Sequence, residues 1–115
     1  MRTRDPLAGL AALSGAVAVA AGAFGAHAAH GLPGELLKTG AQYQIVHAIA
    51  ALVVLAHPSG RAAGWCFVAG GALFAGSLYA LALGAPGLVG IVTPFGGLAL
   101  IVGWVMLAAG ALRGA

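Results

Sequence analysis

Hydrophobic and polar positions segregate along this chain into long blocks. Four apolar runs cover about residues 6–28, 41–56, 62–83 and 94–112, and the first has the roughly 20 residues that cross a hydrocarbon core about 30 Å thick. Between them lie a polar link from His30 to Thr39 carrying Glu35 and Lys38, the breaker His57-Pro58-Ser59-Gly60-Arg61, and Gly84-Ala85-Pro86-Gly87. Thr93-Pro94 reads as a helix start, with Thr as the N-cap and Pro in the first turn. None of the runs alternates with period two. Backbone groups in lipid must pair within a segment or in a closed barrel, so the runs predict helices. The expected fold is all-α: a single integral-membrane domain over 1–115, built as a four-helix up-down bundle.

Composition removes the soluble alternative. With 62% hydrophobic and 6% charged residues and a mean hydropathy of +1.05, the chain has no means of making a water-soluble surface. Its basic residues, Arg2, Arg4, Lys38, Arg61 and Arg113, are too scattered for a nucleic-acid patch, so no nucleic-acid partner is expected. Cys66 is the only cysteine. It excludes an intrachain disulfide and reads as a small buried hydrophobe. Ala26-His27-Ala28 resembles a secretory cleavage site, but the run before it is long for a signal core and is read as a span. Four spans put the N-terminus, the second link and the C-terminus on one side. That side holds Arg2, Arg4, Arg61 and Arg113 against Lys38 alone on the other, which predicts a multi-pass inner (plasma) membrane protein with both termini cytoplasmic.

In this frame the polar side chains collect in the outward half: His27 and His30 ending the first helix, Tyr43, Gln44 and His47 opening the second, Ser77 and Tyr79 ending the third, and Thr93 opening the fourth. On a helical wheel Gly40, Tyr43, Gln44, His47, Ala48 and Ala51 share an arc of roughly 140°, with Ile45, Ile49, Leu52 and Val53 opposite and Gln42 outside it. Small residues at four-residue spacing, Ala18-Gly22-Ala26 and Ala72-Gly76-Ala80-Gly84, suggest helix-packing stripes centred on Gly22, Ala26, Gly76 and Ala80.

Several blocks then line up with one family. Gly22-Ala23-Phe24-Gly25-Ala26-His27, Tyr43-Gln44 with His47-Ala48, Gly76-Ser77-Leu78-Tyr79, Thr93-Pro94 with Gly96-Gly97, and Gly103-Trp104 together resemble the small inner-membrane proteins of domain of unknown function 423, a bacterial family with a mitochondrial relative. The resemblance covers nearly the whole chain in order. It implies a four-helix integral membrane protein without an established activity.

The chemistry has to be weighed residue by residue. His27, His30 and His47 at one membrane level would form a set of imidazoles able to ligate zinc, copper or, across a dimer, haem. No Cys or Asp stands near them, so no metal or cofactor is expected. Polar groups in lipid otherwise satisfy one another between helices, and ionisable groups there also mark transport or proton paths. No Ser-His-acid set and no phosphate loop is present, and the chain is expected not to be an enzyme. Trp65 and Trp104 read as interfacial anchors. The leading reading is a structural or interaction module associating with another membrane protein or with itself in the lipid bilayer. The alternatives are a small oligomeric transporter or channel using the His27/Gln44/His47 layer, and a haem- or metal-binding subunit.

Overall fold

Asp5 starts the first helix. Its carboxylate accepts the Ala8 N–H at 3.2 Å, and Pro6 follows in the first turn, where a missing N–H costs nothing. The computed structural model describes residues 3–57 and 60–114; Arg2 and the Pro58-Ser59 breaker lie outside the described residues. Four long helices run as α1 (Pro6–His27), α2 (Gly31–Val53), α3 (Gly60–Ala82) and α4 (Val92–Leu112). Short 3₁₀ turns at Val54–Ala56 and Gly87–Ile91 extend α2 and precede α4. All four helices are long and apolar enough to span a bilayer.

The largest departure from expectation is the start of α2. It begins at Gly31, ten residues before the expected boundary at 41, and absorbs the whole polar link. Only residues 28–30 separate it from α1, and Gly31 makes the reversal at φ +64°, a conformation cheap only for glycine. Glu35 and Lys38, one turn apart, pair at 3.0 Å along the helix. Gly34 and Gly40 look like breakers in sequence but mark close approaches. A Cβ at Gly34 would meet the Ala29 carbonyl oxygen at 3.0 Å, and one at Gly40 would meet the Tyr79 ring at 2.7 Å.

α3 ends as expected near residue 83. Gly84 takes φ +99°, and the N–H groups of Gly84 and Ala85 bond back to Leu81 and Ala80, which satisfies the last carbonyls. α4 departs again. Thr93 makes no cap for α4, because the helix already begins at Val92 and Thr93 lies in its first turn, with its hydroxyl bonded to Ser77.

Neighbouring helices pack antiparallel in chain order, α1 on α2, α2 on α3 and α3 on α4, with a smaller α1–α3 contact. Among the described residues α1 and α4 share at most a marginal contact. The result is a flattened up-down bundle of 46 × 32 × 18 Å. The central helices α2 and α3 are the more buried, and α1 and α4 give most of their surface to lipid. Both termini lie at one end with the α2–α3 connection: Arg61 at the start of α3 donates two hydrogen bonds to the Asp5 carboxylate, at 2.9 and 3.2 Å.

Packing rests on glycines other than those expected. Gly22 does seat against Ala41, 3.3 Å from where its Cβ would be, but Ala26, Ala72 and Gly76 are exposed, and a Cβ at Gly76 would meet open space. The buried residues on α3 are Gly60, Ala63, Gly64, Phe67, Gly70, Gly71, Ala75 and Ser77, with Gly70 set against Gly96 and Leu100, and on α4 they are Gly96, Leu100, Gly103 and Gly110. A Cβ at Gly96 would collide with the Phe74 backbone, and one at Gly103 would lie 2.6 Å from the Phe67 ring. On α4 these positions are four, three and seven residues apart, a mean of 3.5 per turn. A strict four-residue rhythm drifts about 40° per step around a helix, whereas the mean of 3.5 keeps a seam facing its partner.

Candidate functional site: a polar network through the middle of the bundle

The early start of α2 changes the level of everything on it. At 1.5 Å per residue, Gln44 lies about 20 Å and His47 about 24 Å along the helix from Gly31, near the middle of the bundle. Ser14 lies about 20 Å back from the end of α1 by the same measure. Gly40, Gln44, His47, Ala48 and Ala51 of the expected inward arc are buried and Ile49, Leu52 and Val53 are exposed, but Tyr43 of that arc is exposed and Ile45 of the opposite face is half-buried.

Three polar links result. Gln44 bridges three helices, donating from Nε2 to the Ser14 hydroxyl at 3.0 Å and accepting at Oε1 from the Tyr79 hydroxyl at 2.6 Å. His47 joins α2 to α4, its Nε2 accepting the Trp104 indole N–H at 2.9 Å and its Nδ1 lying 2.6 Å from the Tyr43 carbonyl oxygen. Ser77 donates to the Phe74 carbonyl at 2.8 Å, so in its 2.5 Å contact with Thr93 it is the Thr93 hydroxyl that donates. That bond ties α3 to α4. Tyr43, Phe67 and Trp104 flank the imidazole, with Phe74 packed on Tyr43; centroids are 4.8 Å apart for Phe67–Trp104 and 5.5 Å for His47–Phe67.

The bonding pattern assigns the His47 tautomer. An indole N–H only donates and a peptide carbonyl only accepts, so Nε2 is the acceptor and Nδ1 carries the proton. The ring is neutral with both nitrogens committed. No lone pair is left on it for a metal or a haem iron.

Of the residues expected to converge, Gln44, His47, Ser77, Tyr79 and Thr93 take part in these links through their side chains, whereas Tyr43, with its ring exposed, joins only through its backbone carbonyl and ring contacts. His27 and His30 do not; both are exposed at the end of the bundle away from the termini. The shared His27–His47 pocket expected from sequence therefore does not form, because the continuous helix places His47 several turns below His27. Among the described residues no three His, Cys, Asp or Glu side chains come together. Two members were not anticipated. Ser14 lies in the half of the first helix nearer the N-terminus, outside the outward polar layer, and Trp104 reads as an anchor although its N–H is spent inside. The missed signal was level: both stand near mid-span once α2 is counted from Gly31. Among the described residues every buried side-chain nitrogen and oxygen has a partner.

Comparison with known proteins gives the same picture at the level of the whole chain. The family described as "Protein of unknown function (DUF423)" matches residues 21–97. The chain is 40% identical to the UPF0382 membrane protein YwdK of Bacillus subtilis, over 90% of this chain and 94% of that protein. It is 38% identical to the UPF0382 inner membrane protein YgdD of Escherichia coli K12, over 90% and 86%, and 40% identical to a UPF0382 membrane protein of Haemophilus influenzae, over 90% and 91%. No solved structure matches. The chain belongs to the DUF423 family of multi-pass inner-membrane proteins, whose activity is unknown.

Proposed function

We propose that this protein is a non-catalytic interaction module of the inner membrane, one that associates laterally with another membrane protein or with a second copy of itself. The observation that carries this is the closure of the polar network. Ser14–Gln44–Tyr79, His47–Trp104 and Ser77–Thr93 are three separate links between helices in which each polar group is partnered, in the manner of groups that fix helix packing in lipid. A relay or solute path needs polar groups with a free valence, and here these are taken. The connections between helices are short, so most of what a partner would meet is the membrane-embedded surface. The flanking helices α1 and α4 supply most of that surface, with Leu13, Val17 and Val19 on one and Phe95, Leu98, Ile101 and Val105 on the other exposed.

The termini are proposed to face the cytoplasm, since Arg4, Arg61 and Arg113 share their end and Lys38 at the opposite end is paired with Glu35. Extraction from native membranes in a mild detergent, followed by mass measurement of the particle, tests the module reading. A particle of fixed stoichiometry larger than one chain is expected. A strictly monomeric, partner-free protein would overturn it.

A further inference from the structure

A groove of about 670 Å³ opens between α1 and α2 on the half of the bundle away from the termini. It falls within the roughly 300–1,000 Å³ of ordinary ligand sites. Its floor is made of small side chains, Ala18, Gly22 and Ala41, and its α2 wall carries Glu35, Lys38 and Gln42. These three descend the helix in order, Lys38 about 4.5 Å below Glu35 and Gln42 about 6 Å below Lys38.

Gln42 is the anomaly. It is exposed, yet it makes no hydrogen bond or ring contact to any described residue, and it sits about 16 Å along a spanning helix. An exposed amide one turn below a charged pair stands at the depth of lipid ester groups, where a polar group from outside the chain can meet it. Every other amide or imidazole at comparable depth, Gln44 and His47, is bonded within the protein.

We propose that this groove binds one glycerophospholipid with a zwitterionic, primary-amine headgroup. The groups along such a lipid occur in the order that the wall presents. Its ammonium would face the Glu35 carboxylate, its phosphate the Lys38 ammonium, its glycerol ester carbonyls the Gln42 amide, and one acyl chain would lie on the small-residue floor. Glu35 and Lys38 are 3.0 Å apart and bonded to each other. A zwitterion replaces each partner like for like, whereas a purely anionic headgroup would satisfy Lys38 and strand Glu35. A second copy of the chain is the poorer occupant, because a two-fold interface would set one concave face against another. The inference is independent of the lateral-partner reading above.

Native mass spectrometry of the protein released from micelles holding equal amounts of phosphatidylethanolamine, phosphatidylglycerol and phosphatidylcholine with the same acyl chains provides the test. One phosphatidylethanolamine per chain is expected as the dominant adduct. Ala23→Phe fills the groove from an exposed position and should reduce that adduct about tenfold or more, as should Gln42→Leu, each removing interactions worth at least one tenfold step in affinity. The exchange Glu35→Lys with Lys38→Glu keeps an ion pair on the helix but reverses its order, and should abolish the preference for the ethanolamine headgroup. Circular dichroism should show unchanged helix content in all three. Equal adducts for the three lipids, full retention by the exchanged pair, or a Cys placed at Ala23 cross-linking two copies through the groove would each overturn the proposal.

Discussion

The bond from Tyr79 to Gln44 offers a sharp measurement of how the network stabilises the fold. Tyr79→Phe keeps the ring that packs over Gly40 and deletes one 2.6 Å O–H···O bond, leaving Gln44 Oε1 without its donor at a residue only 5% exposed. Hydrogen bonds between membrane helices average about 0.6 kcal/mol and reach about 1.7, while a stranded buried acceptor costs about 1–3 kcal/mol. The expected loss is therefore about 1–2 kcal/mol. In a Gln44→Leu background the acceptor is already gone, and the same Tyr79→Phe change should cost under about 0.5 kcal/mol, a coupling of about 1 kcal/mol between contacting residues. Ser14→Ala should couple to Gln44 in the same way through the 3.0 Å bond on the amide's other side. Reversible unfolding in mixed micelles of increasing sodium dodecyl sulfate fraction, followed by helical circular dichroism, gives the four free energies of the cycle. If Tyr79→Phe costs the same in both backgrounds to within about 0.3 kcal/mol, the bond contributes nothing specific and the network reasoning fails.

Other outcomes follow from the same geometry. Trp104→Phe should cost about 1–2 kcal/mol by stranding His47 Nε2, and in a His47→Phe background its cost should shrink, readable by the same unfolding assay. Gly96→Ala drives a Cβ into the Phe74 backbone and should cost several kcal/mol, whereas Gly76→Ala meets open space and should be neutral or stabilise by up to about 1 kcal/mol through helix propensity. The Arg61 guanidinium, bonded to Asp5, and the Ala8 N–H hold the Asp5 carboxyl below the usual carboxylate range. A lowered folded pKa contributes stability that is fully present above about pH 4 and is lost as pH falls through the folded value. Asp5→Asn should therefore remove part of the acid sensitivity in a pH series of melts. Single cysteines replacing Thr3 and His30 should label from opposite sides of the membrane, Thr3 from the cytoplasm.

Most of the secondary structure was legible because lipid imposes it: any apolar run of sufficient length in this chain had to be helical, and the inward arc of α2 followed from periodicity. What was not legible came from glycine and from level. The link from His30 to Thr39 read as a break because it interrupts the apolar run, and the sequence does not say that Gly34 seats against Ala29 within a helix. Missing those ten residues of helix displaced His47 toward His27 and hid the pairing of His47 with Trp104. Gly76 lies in a conspicuous four-residue stripe that faces outward, while the seam that packs, from Gly96 through Gly103 to Gly110, has the less obvious spacing of seven. Thr93 resembled a cap because Ser77, sixteen residues earlier, is invisible as its partner to any local rule.

The link of residues 28–30 and the few residues between α3 and α4 make two tight hairpins whose tips lie at the same end. One tip carries Glu35 and Lys38, which cancel; the stretch from 83 to 91 carries no charged side chain. Pushing either tip across a bilayer during biosynthesis moves no net charge through the membrane potential, which would otherwise exact about 2.3 kcal/mol per elementary charge at 100 mV. Translocating the opposite end would drag Arg4, Arg61 and Arg113 with only Asp5 to offset them. Under the proposed orientation, the tips that cross first are thus the ones that carry no net charge, before the bundle has assembled.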